Sequence, residues 1–442
     1  MLQVRIRYGF WWWGWSLFGQ GLYFPPVGDT TWARISPAAL GWCQPALDSL
    51  LDFVGSTRTK AFLILQNGRL VVEAYFGGFG RDSLWYWASA GKTLTAFLIG
   101  KAQEEGYLRL TDTTSRFLGV GWTSCPPEKE RLITLWHQLT MTSGLSDQGP
   151  NPDCTDPACL TCLADAGTRW AYHNAPYTLL HAVLEQATGL STQAYYATRV
   201  GNRIGMRGLW VPLGYNKVFF SDARSMARFG LLLLAKGVWN GDTLLRDTAY
   251  FFQMTHPSQA LNPSYGYLTW LNGQSAFMVP GVQAVFPGPL TPSAPPDLYA
   301  AIGKNAQVLC VVPSQRLVLV RLGEAPDSGD AVPIRYVEEL WQRLSRVFCS
   351  AAGLSRPSDS PAWRVEVDPL SRKVQVFWAL WPGTRLRLEG LDRMGRTVWH
   401  WEGYLKEEGQ PVVWPAENLP AGLYGLRGEA PGLVFTTRFF LP

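Results

Sequence analysis

Two kinds of apolar patterning divide this chain. Ala61-Phe62-Leu63-Ile64-Leu65-Gln66-Asn67-Gly68-Arg69-Leu70-Val71-Val72-Glu73-Ala74-Tyr75 places two apolar runs around Asn67-Gly68, which predicts a β-hairpin with a two-residue turn. A second hairpin is predicted from Gln307 to Leu322. Between the two, apolar residues recur at helical spacing, predicting helices over 89–104, 174–188 and 222–236. Strands at both ends with helices between suit an α/β (α+β) fold, an antiparallel sheet flanked by helices. After Cys349 the pattern changes. The Ser- and Pro-rich stretch 351–361 reads as a linker. Short alternating strands follow, over 363–367, 374–378, 385–388, 397–401, 422–426 and 433–440, the pattern of a small β-sandwich.

A chain of 442 residues, 47% of them hydrophobic, can bury a full core and has room for two domains plus processing segments. Its formal charge of +5 is mild and spread out, so nucleic acid is not expected as a partner. The 21 tryptophans are unusual; some sit in the terminal segments, and others are candidates to line an apolar cleft. At the N-terminus, Arg5 and Arg7 precede an aromatic apolar core (Tyr8–Phe18) and the small residues Gly19 and Gly21. Residues 1–22 therefore read as a secretory signal peptide, with an interfacial membrane anchor as the competing reading. The apolar core is short for a transmembrane helix. Of the seven cysteines, Cys154 and Cys159 lie five apart in a polar loop, where a disulfide would pin the loop and a metal cluster is the alternative. Cys310, inside an apolar strand, reads as buried core.

The chemistry concentrates at Ser89 and Lys92. A buried helix starting here puts the serine in its first turn and the lysine on the same face, one turn on. Serine needs a neighbouring base to become a nucleophile, and a desolvated lysine can be that base. A helix N-terminus adds N–H groups and dipole that favour developing negative charge. By itself Ser-x-x-Lys is a common pattern, read by default as a helix start with a surface lysine. The Tyr172-x-Asn174 step supplies a partner: a phenol beside an ammonium is more easily ionised, which makes Lys92–Tyr172 a candidate proton shuttle. Asn174 is then a donor to a substrate carbonyl or to the lysine, and it can also cap the following helix. The five histidines are scattered without zinc spacing, no Gly-x-Ser-x-Gly elbow occurs, and His173 and His181 read as packing or supporting residues.

Ser89-x-x-Lys92 with Tyr172-x-Asn174 resembles the serine β-lactamase, penicillin-binding protein and class C type carboxylesterase superfamily. Further segments carry the resemblance over roughly 40–350: His137-Gln138-Leu139-Thr140-Met141-Thr142-Ser143-Gly144-Leu145, Gly167-Thr168-Arg169-Trp170-Ala171-Tyr172, and Ser221-Asp222-Ala223-Arg224-Ser225-Met226-Ala227-Arg228-Phe229-Gly230. It implies a helical insertion beside the sheet, with the site between sheet and helices. The third family motif departs from the Lys-Thr-Gly or His-x-Gly pattern. Lys304-Asn305-Ala306 is one match; aligning Gly303 to Gln307 with the Gly-x-x-Gly-Gln of esterase-like and nylon-oligomer-hydrolase-like members is the other. On the second alignment, the strand around Ile302 and Gly303 supplies a backbone N–H that joins the N–H of Ser89 in an oxyanion hole. Without a cationic third motif, the anchor for a β-lactam or peptide carboxylate is missing.

The resemblance implies a serine hydrolase domain over 23–350, cleaving small esters or short amides through an acyl-enzyme on Ser89 without metal or cofactor. A penicillin-binding DD-carboxypeptidase or D-aminopeptidase-like enzyme is the alternative, and a non-catalytic ligand-binding protein on the same scaffold is the rival from another class. Residues 362–442 resemble the C-terminal sorting domain of type IX secretion cargo, through Val365-Glu366-Val367-Asp368-Pro369, Leu391-Asp392-Arg393-Met394-Gly395-Arg396, Leu419-Pro420-Ala421-Gly422-Leu423-Tyr424 and Thr437-Arg438-Phe439-Phe440. That implies export machinery as a partner and a secreted or cell-surface location in a Gram-negative bacterium, with the periplasm as an alternative. A carbohydrate-binding or spacer sandwich is the plainer reading.

Overall fold

The hairpin around Asn67-Gly68 forms as its pattern predicts. Strands β1 (Thr59–Gln66) and β2 (Arg69–Tyr75) pair antiparallel, Gln66 opposite Arg69, and the turn residues take φ of +52° and +80°. The computed structural model describes residues 21–28, 30–326, 332–348, 363–368, 373–378, 385–392, 396–404, 412–430 and 433–441. The apolar core of the N-terminal segment and the 351–361 stretch lie outside the described residues. The chain divides into two units, 1–349 and 350–442.

In the first unit, β3 (Trp270–Leu271), β4 (Tyr299–Gly303), β5 (Gln307–Val312) and β6 (Leu317–Gly323) complete a six-stranded sheet. Its order is β2-β1-β6-β5-β4-β3, with neighbours antiparallel throughout. Every residue of β5 and β6 is buried, so these strands read as continuous apolar runs rather than alternating ones. Both faces are covered by helices. On one, α4 (Ala223–Leu234) packs so closely that a Cβ on Gly230 would stand 2.5 Å from Val318 Cγ1 and 2.6 Å from Leu309 Cδ1. On the other face, to which alternation sends Arg321, lies α5 (Ile334–Val347), whose Tyr336 ring stacks 5.2 Å from the Arg321 guanidinium carbon. Helix α1 (Gln44–Ser56) packs beside α5. The stripe Tyr336, Val337, Leu340, Trp341, Leu344 and Val347 is buried, which is the period-3.6 signature of a core-facing helix. The predicted helices are present as α2 (Gly91–Glu104), α3 (Asn174–Thr188) and α4; α1 and α5 add two that the pattern reading did not include. Among the described residues no helix is long and apolar enough to cross a membrane.

The second unit is all β. Trp363–Asp368, Lys373–Trp378 and Val412–Pro415 form one antiparallel sheet; Thr397–Tyr404, Arg385–Leu391, Gly422–Ala430 and Leu433–Leu441 form another. Val374, Val376 and Trp414 of the first bury with Leu386, Leu388 and Leu426 of the second, and Trp399 stacks on Trp414 with ring centroids 5.2 Å apart. The strand at Val412–Pro415, short and ending in proline, is an addition to the pattern reading.

Candidate active site

Ser89 lies in a single 3-10 turn, Ala88–Ala90, that runs directly into α2. Trp87 anchors the approach: its indole is fully buried and donates to Ser221 Oγ at 2.8 Å, while its backbone N–H donates to the Phe219 carbonyl at 2.8 Å. Ala88 then takes φ of +48°, a conformation that costs a non-glycine residue about 1–2 kcal/mol. This strain turns the chain so that Ser89 heads the helix at the edge of a cleft of about 520 Å³.

One turn on, Lys92 is 3% exposed. Its Nζ stands 2.9 Å from Ser89 Oγ and donates to Asn174 Oδ1 at 2.7 Å. Burial lowers its pKa to about 7, against a weaker opposing pull from the Asp153 carboxylate. The Tyr177 and Tyr172 rings flank Nζ, with centroids at 4.2 and 5.0 Å. Lys92 is thus poised between amine and ammonium at neutral pH, as a base for Ser89 requires.

Tyr172 is held by an aromatic cluster, stacked on Trp270 at 5.6 Å and edge-on to Tyr265 at 6.2 Å. Its hydroxyl is buried without a partner in hydrogen-bond geometry, and Ser89 is the hydroxyl beside it. Here the structure corrects the sequence expectation of an easily formed phenolate. Burial raises the Tyr172 pKa far more than Ser89 lowers it, so the phenol stays protonated and Lys92 is the group that gives up its charge. A second correction concerns Asn174. It is the first residue of α3, with His173 at the cap position, and it accepts from Lys92 rather than donating to it. Its Nδ2 donates instead to Asp153 Oδ1 at 2.7 Å. His173 and His181 are buried and neutral, with pKa values lowered to about 4 and about 3 mainly by desolvation.

The end of β4 closes the site. A Cβ on Gly303 would stand 2.4 Å from the Trp87 carbonyl and 3.0 Å from Ser89 N, so only glycine lets strand and serine come this close. The Leu298 carbonyl accepts from Asn272 on the outer edge. By strand alternation the N–H groups of Ala300 and Ile302 share that edge, and the extended Gly303 (φ −122°, ψ 162°) carries the alternation on to Lys304. Ile302 is buried on the strand, whereas Lys304 lines the cleft. The N–H best placed opposite that of Ser89 therefore shifts from Ile302 to Lys304. Asn305 and Ala306, both left-handed at φ +62° and +57°, make the turn that follows. A fully buried Arg321 donates to the carbonyls of Asn305 (2.6 Å) and Ala306 (3.0 Å), while Gln307 bonds those of Lys304 and Gly323. Gln307 is the glutamine of the Gly-x-x-Gly-Gln alignment, whereas Arg321 was not singled out from the sequence, since a charge in an apolar strand gives no hint of the turn it ties.

The remaining motif segments act at a distance. Gln138 Nε2 donates to the Pro176 carbonyl at 2.7 Å at the start of α3, and the Met141 carbonyl accepts from Ala171 N at 2.9 Å, fixing the approach to Tyr172. Asp222 caps α4 by accepting from Ser225 N at 2.7 Å. Cys154 and Cys159 form a disulfide; so do Cys125 and Cys162, a pair the sequence reading did not propose, and Cys310 is a buried thiol. Pro152, Asp153, Pro280 and Gly281 line the cleft beside Tyr172 and Tyr177. Trp170 and Trp270 pack against Tyr172, and among the described residues no tryptophan lines this cleft.

A family model for Beta-lactamase matches residues 53–339. The chain belongs to the β-lactamase family. With Ser89, Lys92, Tyr172 and Asn174 gathered at one cleft, it is a serine hydrolase of that superfamily. Several solved structures share the fold of this β-lactamase-family chain. EstCE1, a hydrolase with promiscuous acyltransferase activity, is 15% identical with a TM-score of 0.52 over 70% of this chain and 99% of its own. A family VIII carboxylesterase is 16% identical with a TM-score of 0.51 over 69% and 98%. A β-lactamase from Mycobacterium bovis is 18% identical with a TM-score of 0.50 over 69% and 99%. No curated protein matches the chain.

Proposed function

We propose that this protein hydrolyses small esters or short amides through an acyl-enzyme on Ser89. The observation that carries the reading is the unbroken contact from Ser89 Oγ to a desolvated Lys92 Nζ at 2.9 Å, with Asn174 on the far side of the amine. As Oγ bonds to the substrate carbonyl carbon, its proton passes to Lys92. The carbonyl oxygen becomes the oxyanion and is met by the N–H groups of Ser89 and Lys304. When the tetrahedral intermediate collapses, the bond to the leaving group breaks, and the leaving group takes a proton from Lys92 through the neutral Tyr172 hydroxyl. Water then attacks the acyl carbon with Lys92 again as base, releasing the acid and restoring Ser89.

Esters and short amides are favoured over β-lactams because the β4 residues that lead up to Lys304, namely Ala301, Ile302 and Gly303, carry no cationic or hydroxyl side chain. Lys304 on the cleft rim supports a second reading, a carboxypeptidase that grips a substrate carboxylate. The disulfides at Cys154–Cys159 and Cys125–Cys162 support export to an oxidising compartment. For the second unit, the sorting role remains our proposal on sequence resemblance alone.

The test is intact-mass labelling with a fluorophosphonate together with turnover of a nitrophenyl butyrate, for wild type and Ser89→Ala. One adduct and ester turnover, both lost in Ser89→Ala, are expected. An unlabelled, folded wild type would overturn the reading and favour a ligand-binding protein. Turnover of an acyl-D-Ala-D-Ala peptide in place of the ester would establish the carboxypeptidase.

A further inference from the structure

The contacts at Ser89 do not stop at Asn174. Asn174 Nδ2 donates to Asp153 Oδ1 at 2.7 Å, which makes a continuous line Ser89–Lys92–Asn174–Asp153. A carboxylate only accepts, whereas an amide side chain has one accepting and one donating end. Asp153 therefore decides which way Asn174 faces: the NH2 turns to the carboxylate and the carbonyl to Lys92. That orientation engages one N–H of Lys92 and leaves its remaining valence for Ser89. Turned the other way, Asn174 would present a donor to a donor.

The segment that delivers Asp153 is closed covalently on both sides. Asp153 adjoins Cys154, which pairs with Cys159, and Cys162 pairs with Cys125. Asp153 N–H donates to Asn151 Oδ1 at 3.0 Å, and Ser124 Oγ donates to the Pro157 carbonyl at 2.8 Å. The other charged groups around Lys92 are already engaged or stand further off. Asp147 is paired with Arg169, and Lys217 with Glu185; Lys304 is on the rim, and His181 is neutral. Tyr172 and Tyr177 stay protonated by burial.

We propose that Asp153 is a positioning residue of the reaction, acting through Asn174 on Lys92, and that the Cys154–Cys159 disulfide holds it in place. The proposal rests on the hydrolase reading for its kinetic consequence, but not for its electrostatic one. Removing the carboxylate destabilises the Lys92 ammonium, so Lys92 loses its proton at lower pH.

The experiment is an NMR titration of protein carrying 13Cε-labelled lysine, with the Lys92 signal assigned by its loss in Lys92→Met, alongside kcat/KM for the butyrate ester across the same pH range. In Asp153→Asn, which keeps size and an accepting oxygen, the Lys92 midpoint is expected to fall by about one unit, as loss of an opposite charge dictates. The acid limb of kcat/KM should move with it. Asp153→Ala, which also frees Asn174 to turn, should lose about tenfold in kcat at the optimum, the effect of one hydrogen bond. Asp153→Glu should return the midpoint toward wild type. The pair Cys154→Ser, Cys159→Ser should shift it in the same direction as Asp153→Asn, and gives a second route should Asp153→Asn not fold. An unmoved Lys92 midpoint in folded Asp153→Asn overturns the role of Asp153, and an unmoved midpoint in the cysteine pair overturns that of the disulfide. A midpoint that falls in a protein inert to ester and phosphonate would instead overturn the hydrolase reading and leave Asp153 in its place.

Discussion

Burial divides the labour between Lys92 and Tyr172. Both are taken out of water, but desolvation penalises the charged form of each, so the lysine becomes a neutral base and the tyrosine a neutral donor. Two outcomes follow at Lys92. Since the amine is the active form, kcat/KM should climb as pH rises through about 7, measurable as a single acid limb. Lys92→Met should abolish turnover while raising Tm. The folded pKa lies below the unfolded value of 10.5, so the folded state bears a cost that is full below about pH 7 and fades as pH approaches 10.5. The gain in Tm should therefore be largest at low pH, and a gain that grows with pH would contradict it. At Gly303 the constraint is steric. Gly303→Val forces atoms into the Trp87 carbonyl and Ser89 N, so labelling of Ser89 should fall by orders of magnitude even where circular dichroism shows a folded protein.

At the scale of elements, the site is a joint between three pieces: the start of α2, the start of α3 and the end of β4. Each is set by packing elsewhere. Helix α4, whose motif does not line the Ser89 cleft, presses on β5 and β6 through Gly230 and so keeps the sheet and its β4 edge in register with Ser89. Gly230→Val should lower stability by about 1–3 kcal/mol, seen as a lower Tm, because the groove has no room for the added carbons. An unchanged Tm would mean that helix and sheet part freely. The hairpin, α2, α3 and α4 were all legible in the sequence, since each repeats its period over two or more turns or carries an Asn-Gly turn. Helices α1 and α5 were not singled out, although the buried stripe of α5 is present in its sequence.

For the whole molecule, the two units have separate apolar cores, one built on the six-stranded sheet and one between two small sheets. A chain ending at 361 should therefore keep the ester kcat/KM of the full-length protein within about twofold, the ordinary independence of domains with their own cores. Loss of activity on truncation would show that the second unit completes the first. Ser89 with Lys92 and Tyr172 with Asn174 were readable as two local steps, a helical turn and a two-residue spacing, and the family resemblance is what joined them into one site. Local too was the Cys154–Cys159 pair, only five residues apart. The division of charge between Lys92 and Tyr172 was not readable, because it depends on burial contributed by Trp270, Tyr265 and Tyr177. Nor was the place of Lys304 at the cleft, the hold of Arg321 on its turn, or the Cys125–Cys162 bridge. Each joins segments that meet only in the folded chain, and Asp153 is tied to Lys92 by hydrogen bonds through Asn174, 21 residues further along the chain. The residue types and the local elements were thus determined by the sequence itself. Which groups stay charged, and what each one faces, was decided by desolvation and contact across the folded chain.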